Sequence, residues 1–221
     1  HWFLDDGRPP AEREAPPRTR DLASSLYERI AALGDAERSA ATLAQRIVTD
    51  AVLRAEAGRD QNVYLGRLFT RVLSRAVPDV VFLPASTAEV EAALRWARDR
   101  SVPVTVRGAA STALGGSVPC DGGLSLDLSR LDHVDVSVED DVCVIGAGAR
   151  LRTVHRRLAA HDLALPVYPS NLGATFAGWL ASGGVGLNAY GRRRAVDVVK
   201  AADVILPDGE MVRFHADGRL D

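Results

Sequence analysis

The strongest constraint on this chain is a pair of segments built almost entirely from small side chains. The first is Arg107-Gly108-Ala109-Ala110-Ser111-Thr112-Ala113-Leu114-Gly115-Gly116-Ser117, and the second runs from Gly173 to Gly186. The first follows Val102, Val104 and Val106, which alternate as a strand. A strand that ends in Gly, Ala and Ser leaves backbone N–H groups unshielded, and such a run can fold round an anion because small residues admit close backbone approach and unusual dihedrals. A diphosphate is the natural guest. Hydrogen bonds to a charged acceptor contribute roughly 1.5–3 kcal/mol each, so four of them cover the roughly 8 kcal/mol of micromolar binding before ordering is subtracted. Two such runs suit a long dinucleotide better than a lone phosphate. The plainer alternative is that they only make tight turns.

The elements around these runs follow from periodicity and punctuation. Residues 1–20 carry Pro9, Pro10, Pro16 and Pro17 among charges, and read as an extended arm. Leu22, Leu26, Ile30 and Leu33 recur at helical spacing, with Gly34 as C-cap. A second amphipathic helix is expected from Asp35 to Ala57, with Leu43, Ile47 and Val48 inward and Gly58 closing it. Together they predict a helical hairpin, a packing or oligomer-contact element. Val80 to Leu83 read as a buried strand ended by Pro84. Ser86 and Glu89 have capping-box spacing, and Val90, Ala93, Leu94 and Ala97 share one helix face. Residues 80–106 are thus a strand–helix–strand crossover with parallel strands. Leu124, Leu126 and Leu128 mark another strand. Val134–Val138 and Val142–Ile145 flank an acidic turn, Arg150–Asp162 is helical, and Val196–Leu206 forms a hairpin with Met211–Phe214 across Pro207-Asp208-Gly209.

Composition and spacing remove several function classes. The 221 residues carry a formal net charge of -2, so no broad positive field draws nucleic acid. No apolar run reaches membrane-spanning length and no signal peptide is visible, which makes a cytoplasmic setting the expectation. Cys120 and Cys143 lack metal-site spacing, and His133, His155, His161 and His215 are dispersed. A serine hydrolase needs glycines two residues either side of its nucleophile, whereas Ala109 and Ala113 flank Ser111. Val142–Leu151 looks like the start of a Rossmann fingerprint, but the third glycine falls at Leu151 and Asp162 comes too early to bind a ribose. Arg192-Arg193-Arg194 reads as a solvated basic turn or a contact to an adenine-side phosphate.

Taken in order, these features resemble the FAD-binding domain of the vanillyl-alcohol oxidase and p-cresol methylhydroxylase (PCMH) type, shared with glycolate oxidase and D-lactate dehydrogenase flavoproteins. The residues that carry the resemblance are Arg107-Gly108-Ala109-Ala110-Ser111, Gly115-Gly116, Pro119, and Gly122-Gly123-Leu124-Ser125-Leu126-Asp127-Leu128-Ser129. They continue with Gly173-Ala174-Thr175-Phe176-Ala177-Gly178, Ala181-Ser182-Gly183-Gly184-Val185-Gly186, Tyr190-Gly191 and the hairpin Val204–Glu210. The match covers about residues 78 to 215.

The resemblance implies an α+β fold in two lobes, here preceded by the N-terminal helical region of residues 21–77 with its helical hairpin. A small parallel α/β lobe is expected over 78–131 and a larger, mostly antiparallel lobe over 132–221, with FAD between them. Gly108 to Thr112, with Arg107 and Gly115, would serve the FAD diphosphate. Gly173, Ala174, Thr175 and Gly178, with Ala181, Ser182, Gly183, Gly184 and Val185, would line the ribityl chain and isoalloxazine. Trp179 would flank the flavin or anchor its loop. Ser111 stands where some members carry a flavin-linking His, so the FAD is expected to be dissociable. Ala109, Ala110 and Ala177 replace customary glycines and would be strained at positive φ. A 2-hydroxy acid or other alcohol would pass hydride to flavin N5. The acid/base groups and substrate contacts would come from a C-terminal domain beyond Asp221, and no catalytic base is evident here. Two rivals stay open: a flavin-holding or degenerate accessory subunit without turnover, and an interaction or oligomerisation module built on the N-terminal helices.

Overall fold

Proline starts the first helix. In the computed structural model, which describes residues 15–34, 40–61, 76–187, 190 and 194–220, α1 spans Pro17–Ala31. Helix therefore begins inside the segment expected to be an extended arm; residues 1–14 of that arm lie outside the described ones. The reason is local: at the first helical position the fixed φ of proline is already helical and its absent N–H would have had no partner. Leu26 and Ile30 are buried as their spacing predicts, whereas Leu33, past the helix end, is exposed.

The long second helix is interrupted. α2 covers Ala40–Arg46, β1 is Ile47–Val48, and α3 covers Ala51–Ala57. The β-branched pair Ile47 and Val48 adopts strand and pairs antiparallel with β2, Val80–Phe82, placing Ile47 opposite Phe82. Asp50 then restarts the helix, its carboxylate accepting from the N–H groups of Val52 (2.9 Å) and Leu53 (3.0 Å). The N-terminal part is a set of helices around an edge strand, not a helical hairpin.

β2 leads through α4, Thr87–Asp99, to β3, Val104–Arg107. The four-stranded sheet has the order β1-β2-β4-β3, with β4 formed by Leu124–Asp127. β2 and β4 are parallel, Val80 facing Leu124 and Phe82 facing Leu126, and all four side chains are buried. The crossover therefore steps over one position, and the strand expected at Leu124 fills the gap. On α4, Trp96 donates its indole N–H to Ser25 of α1 (2.9 Å).

A buried ion pair ties the N-terminal helices to this sheet. Arg46 Nη1 and Nη2 meet Glu89 Oε2 and Oε1 at 2.5 and 2.9 Å, with side chains 4% and 0% exposed. Glu89 also accepts from the Ala85 N–H (2.6 Å), and Arg46 donates to the Leu83 carbonyl (3.2 Å) and lies over the Phe82 ring. The expected capping box is half realised. Ser86 Oγ accepts from the Glu89 N–H at 3.4 Å, but the Glu89 carboxylate reaches one residue beyond the N-cap. A parallel role falls to Arg54, which donates to the carbonyls of Pro78 (3.0 Å) and Thr49 (3.2 Å). Burial holds its guanidinium below the ordinary arginine range, with Asp79 and Asp50 opposing the shift.

By its contacts the chain divides into two compact units. The first comprises residues 1–106, 112–127 and 207–209, and the second 107–111, 128–206 and 210–221. In the second, β5 (Val134–Ser137) and β6 (Val142–Ile145) pair antiparallel across the acidic turn, with Val134 opposite Ile145. α5, Leu151–Ala159, lays Val154 and Leu158 on that pair. β7 (Ala201–Ile205) and β8 (Met211–His215) form the second hairpin, turned at Gly209 with φ +80°. The strand expected from Val196 begins only at Ala201, because Ala195–Val198 is a 3₁₀ turn capped by Asp197 on the Arg194 N–H.

Removing one partner of a buried pair leaves the other as an uncompensated charge, so Glu89→Ala should lower the unfolding free energy by about 3–5 kcal/mol in urea titration. Arg46→Met combined with Glu89→Leu should cost far less than that. A single-variant loss below about 1 kcal/mol would mean that water reaches the pair.

Candidate functional site

The first small-residue run leaves β3 at Arg107 and turns at once. Ala110 sits at φ +47°, a conformation normally left to glycine, while Ala109 does not. Among the described residues, the N–H groups of Ala109, Ala110 and Ser111 find no protein acceptor. A succession of unpaired N–H groups beside a left-handed residue is the local geometry that cradles an anion. At the far end of the run, Gly115 has φ +78° and Ser117 turns inward, its buried hydroxyl unpartnered among the described residues.

The two runs meet at Gly108. A Cβ added there would collide with Thr175 Oγ1 and lie 3.3 Å from Thr175 Cγ2. Thr175 itself is buried and fixed from three sides. Its Oγ1 accepts the Gly178 N–H at 3.2 Å, capping α6 (Phe176–Ala181). Its backbone bridges Arg150, with Leu151 N–H donating to Ala174 (2.9 Å) and Phe176 N–H to Ala149 (3.0 Å). Arg150 also donates from Nη1 to the Gly173 carbonyl (2.9 Å), and the Gly173 N–H is taken by Asn171 Oδ1 (2.9 Å).

The second run is therefore not a loop throughout. Gly178 and Ala181 belong to α6, and Ala177, inside that helix, carries no left-handed strain. Most of its N–H groups near the helix end serve the protein: Gly183 donates to Leu180 (3.0 Å) and Gly184 to Trp179 (2.9 Å). The Ser182 hydroxyl is likewise spent on the carbonyls of Gly178 and Trp179, both at 3.0 Å. What this run offers a ligand is a smooth surface, with Ala181, Ser182, Gly183 and Val185 exposed and Gly184 buried. Trp179 is the loop anchor. It is 8% exposed, packs edge-on against Phe176 at 6.0 Å, and lies so close to Gly184 that a Cβ there would come within 2.6 Å of its indole nitrogen.

The Rossmann-like glycines have a structural use that sequence reasoning missed. Gly146 donates to the His133 carbonyl and Gly148 to the Leu131 carbonyl, both at 2.9 Å. A Cβ on Gly148 would strike the Leu128 carbonyl, and one on Gly146 the Leu131 carbonyl. These glycines let two backbones touch, and their N–H groups are taken by backbone carbonyls. Other candidate chemistry recedes as well. Among the described residues no group of His, Cys, Asp and Glu could hold a metal ion. Burial, with help from Asp135, pushes the Cys143 thiol up and away from the reactive thiolate. No helix is long and apolar enough to cross a membrane, again among the described residues. Of the basic turn only Arg194 is described, and it pairs with Asp197 at 3.6 Å.

Comparison with known proteins matches this geometry to a family. Residues 78–215 fit the family described as FAD binding domain. The chain is 32% identical over 135 residues to D-lactate dehydrogenase of Archaeoglobus fulgidus, covering 60% of this chain and 30% of that protein. It is 30% identical over 142 residues to D-2-hydroxyglutarate dehydrogenase of Xanthomonas citri pv. viticola, covering 62% of this chain and 30% of that protein. It thus spans about 30% of the length of these curated relatives. Among solved structures, Physcomitrella patens BBE-like 1 superposes with a TM-score of 0.69 at 18% identity, over 87% of this chain and 38% of that one. Glucooligosaccharide oxidase from Acremonium strictum, which carries a 6-S-cysteinyl, 8α-N1-histidyl FAD, gives 0.58 at 24% identity, over 66% of this chain and 31% of that one. These superpositions establish the PCMH-type α+β fold.

Three substitutions test the geometry. Gly108→Ala should destabilise the chain by about 1–3 kcal/mol through overpacking. In a Thr175→Ala background the added loss should shrink; additive losses would mean the two residues are not in contact. Ala110→Gly should instead stabilise by about 1 kcal/mol, since it relieves a left-handed L-residue. A lowered melting temperature for Ala110→Gly would contradict the positive φ.

Proposed function

The chain belongs to the FAD-binding domain family, and we propose that Gly108 to Thr112 hold the FAD diphosphate, with Arg107 at the entrance to the run. In this reading Gly173, Ala174, Thr175 and the surface of Ala181 to Val185 line the ribityl chain and ring. The observation that carries it is the set of unpaired N–H groups on Ala109, Ala110 and Ser111, next to the Gly108–Thr175 contact. Ala110 supports the fit: the backbone keeps the left-handed shape although glycine has been lost.

FAD, when bound, supplies a hydride acceptor at N5, and the chemistry of oxidation is the cofactor's own. The residues of this chain contribute position. The N–H groups of the first run neutralise diphosphate charge, and the small side chains of the second allow a flat ring to lie close. We read the whole protein as an oxidoreductase acting on a 2-hydroxy acid or other alcohol, in line with the names of the relatives, D-lactate and D-2-hydroxyglutarate dehydrogenase. Substrate contacts and the catalytic base are assigned to sequence outside these 221 residues, because the relatives are so much longer than the part this chain matches. A cytoplasmic setting goes with this reading. The FAD is proposed to be non-covalent: Ser111 stands at the position where some members link flavin through His, and serine cannot make that bond.

Acid precipitation of the purified chain tests cofactor and linkage together. FAD should appear in the supernatant, identified by chromatography, with a colourless protein pellet. Flavin retained in the pellet would overturn the non-covalent assignment, and a chain that takes up no FAD on reconstitution would overturn the binding site.

A further inference from the structure

The solvent side of α5 is cationic from end to end. Val154 and Leu158 turn one face of the helix onto β5 and β6. The exposed side presents Arg152, His155, Arg156 and Arg157, with Arg150 at the N-cap and no acidic residue inside the helix. Among the described residues none of these side chains has an ion-pair partner, and Arg150 alone is engaged, donating from Nη1 to the Gly173 carbonyl. The row does not serve the helix itself. Arg156 and Arg157 sit in the last turn, where the partial negative charge of a helix end favours cations, but Arg150 and Arg152 sit at the opposite, positive end. Arg152 and Arg156 are also like charges one turn apart, a pairing that weakens a helix. Local stability therefore does not account for it.

The same compact unit carries the electrostatic complement. Glu139-Asp140-Asp141, the one run of three acidic residues in the sequence, makes the turn between β5 and β6 and is exposed throughout. Asp140 accepts from the Ser137 hydroxyl at 2.6 Å. Lys200 donates to the backbone carbonyls of Asp140 (3.3 Å) and Asp141 (3.0 Å), not to their carboxylates. The carboxylates of Glu139 and Asp141 have no partner among the described residues. On the same hairpin Val138 and Val144 are 54% and 56% exposed. We infer that α5 is a docking face for a second copy of this chain, its arginines meeting the acidic turn of that copy while its own turn meets the other α5. A self-complementary contact of this kind closes as a two-fold pair. The charge balance favours a copy over an extended polyanion. The chain is net -2, so it has no attraction at range for a nucleic acid or an anionic membrane, and the exposed side of α5 has no aromatic ring on which a base could stack. Arginine stems and the two valines supply apolar contact, and the charges set register and salt sensitivity. The inference is independent of the flavin reading.

Sedimentation of the whole protein over a concentration series reads the dimer constant. At low salt a dimer should form, and its dissociation constant should rise about tenfold or more at about 1 M salt, where the Debye length is about 3 Å. Two variants then reverse one patch each. The helix variant carries Arg152→Glu and Arg156→Glu. The turn variant carries Glu139→Lys and Asp141→Asn, because asparagine tolerates the left-handed φ of +50° at residue 141. Each variant alone should lose the dimer, and an equimolar mixture of the two should regain it, since each reversed patch then finds an opposite charge. Circular dichroism melts check that both variants fold. Should the helix variant melt early, Arg152→Gln with Arg156→Gln takes its place and should weaken the dimer about tenfold. A parent protein that is monomeric at low salt overturns the inference, as do variants that dimerise like the parent or a mixture of folded variants that stays monomeric. Binding of phosphatidylserine vesicles by a monomeric parent, lost in the helix variant, would make α5 a membrane contact and overturn it equally.

Discussion

The backbone of Gly108 rests directly on the Thr175 side chain, and the rest of the candidate site is arranged around that contact. A hydroxyl that caps one helix also forms the wall against which the first small-residue run turns. From Thr175 the support runs backward through its bridge to Arg150, and from there to the segment where Gly146 and Gly148 press on residues 128–133. Forward, it runs through α6 to Trp179 and the glycine beneath it. At Gly108, Gly146, Gly148 and Gly184 a side chain has been dispensed with so that backbone can meet backbone, side chain or ring. Tight approach of this kind gives a binding surface its rigidity, because close-packed atoms leave no room for alternative positions.

Much of this was legible from residue order alone. The strand before the first run, the acidic turn between β5 and β6, the hairpin at Gly209 and the helix starting at Leu151 all follow from local periodicity and turn residues. Local signals mislead where two structures satisfy the same spacing. Leu43, Ile47 and Val48 point inward on a helix of residues 35–57, and Leu43 and Ile47 are indeed buried, yet Ile47 and Val48 reach the core as an edge strand beside Phe82. Only the β-branching of that pair, followed by Asp50 as a helix start, hinted at the break. Within the second run, small residues hid a helix. Thr175 and Gly178 stand at cap spacing, and Phe176, Trp179 and Leu180 form its apolar face, a signal that the abundance of glycine outweighed. The Asp60 carboxylate accepts the Gly115 N–H at 2.8 Å, a contact with no local signature because the two residues are far apart in the chain.

Glycine proved to mean different things at different places. At Gly146 and Gly148 it marks a collision avoided, and at Gly115 an open left-handed turn. At residue 110 the left-handed turn persists although the glycine does not. Counting glycines in a fingerprint therefore says less than asking what surrounds each one. The absent third glycine, replaced by Leu151, and the missing ribose-binding acid together separated residues 142–151 from a dinucleotide motif.

The pairing of Arg46 with Glu89 has a bearing on where this module begins. The family match opens at residue 78, yet the carboxylate on the first helix after that border is neutralised by a guanidinium contributed from well upstream of it. A fragment trimmed at the border would strip β2 of its outer neighbour and strand an anion in an oily interior. The smallest autonomous piece of this architecture is accordingly larger than its family signature, and the segment that carries Arg46 is part of its building material.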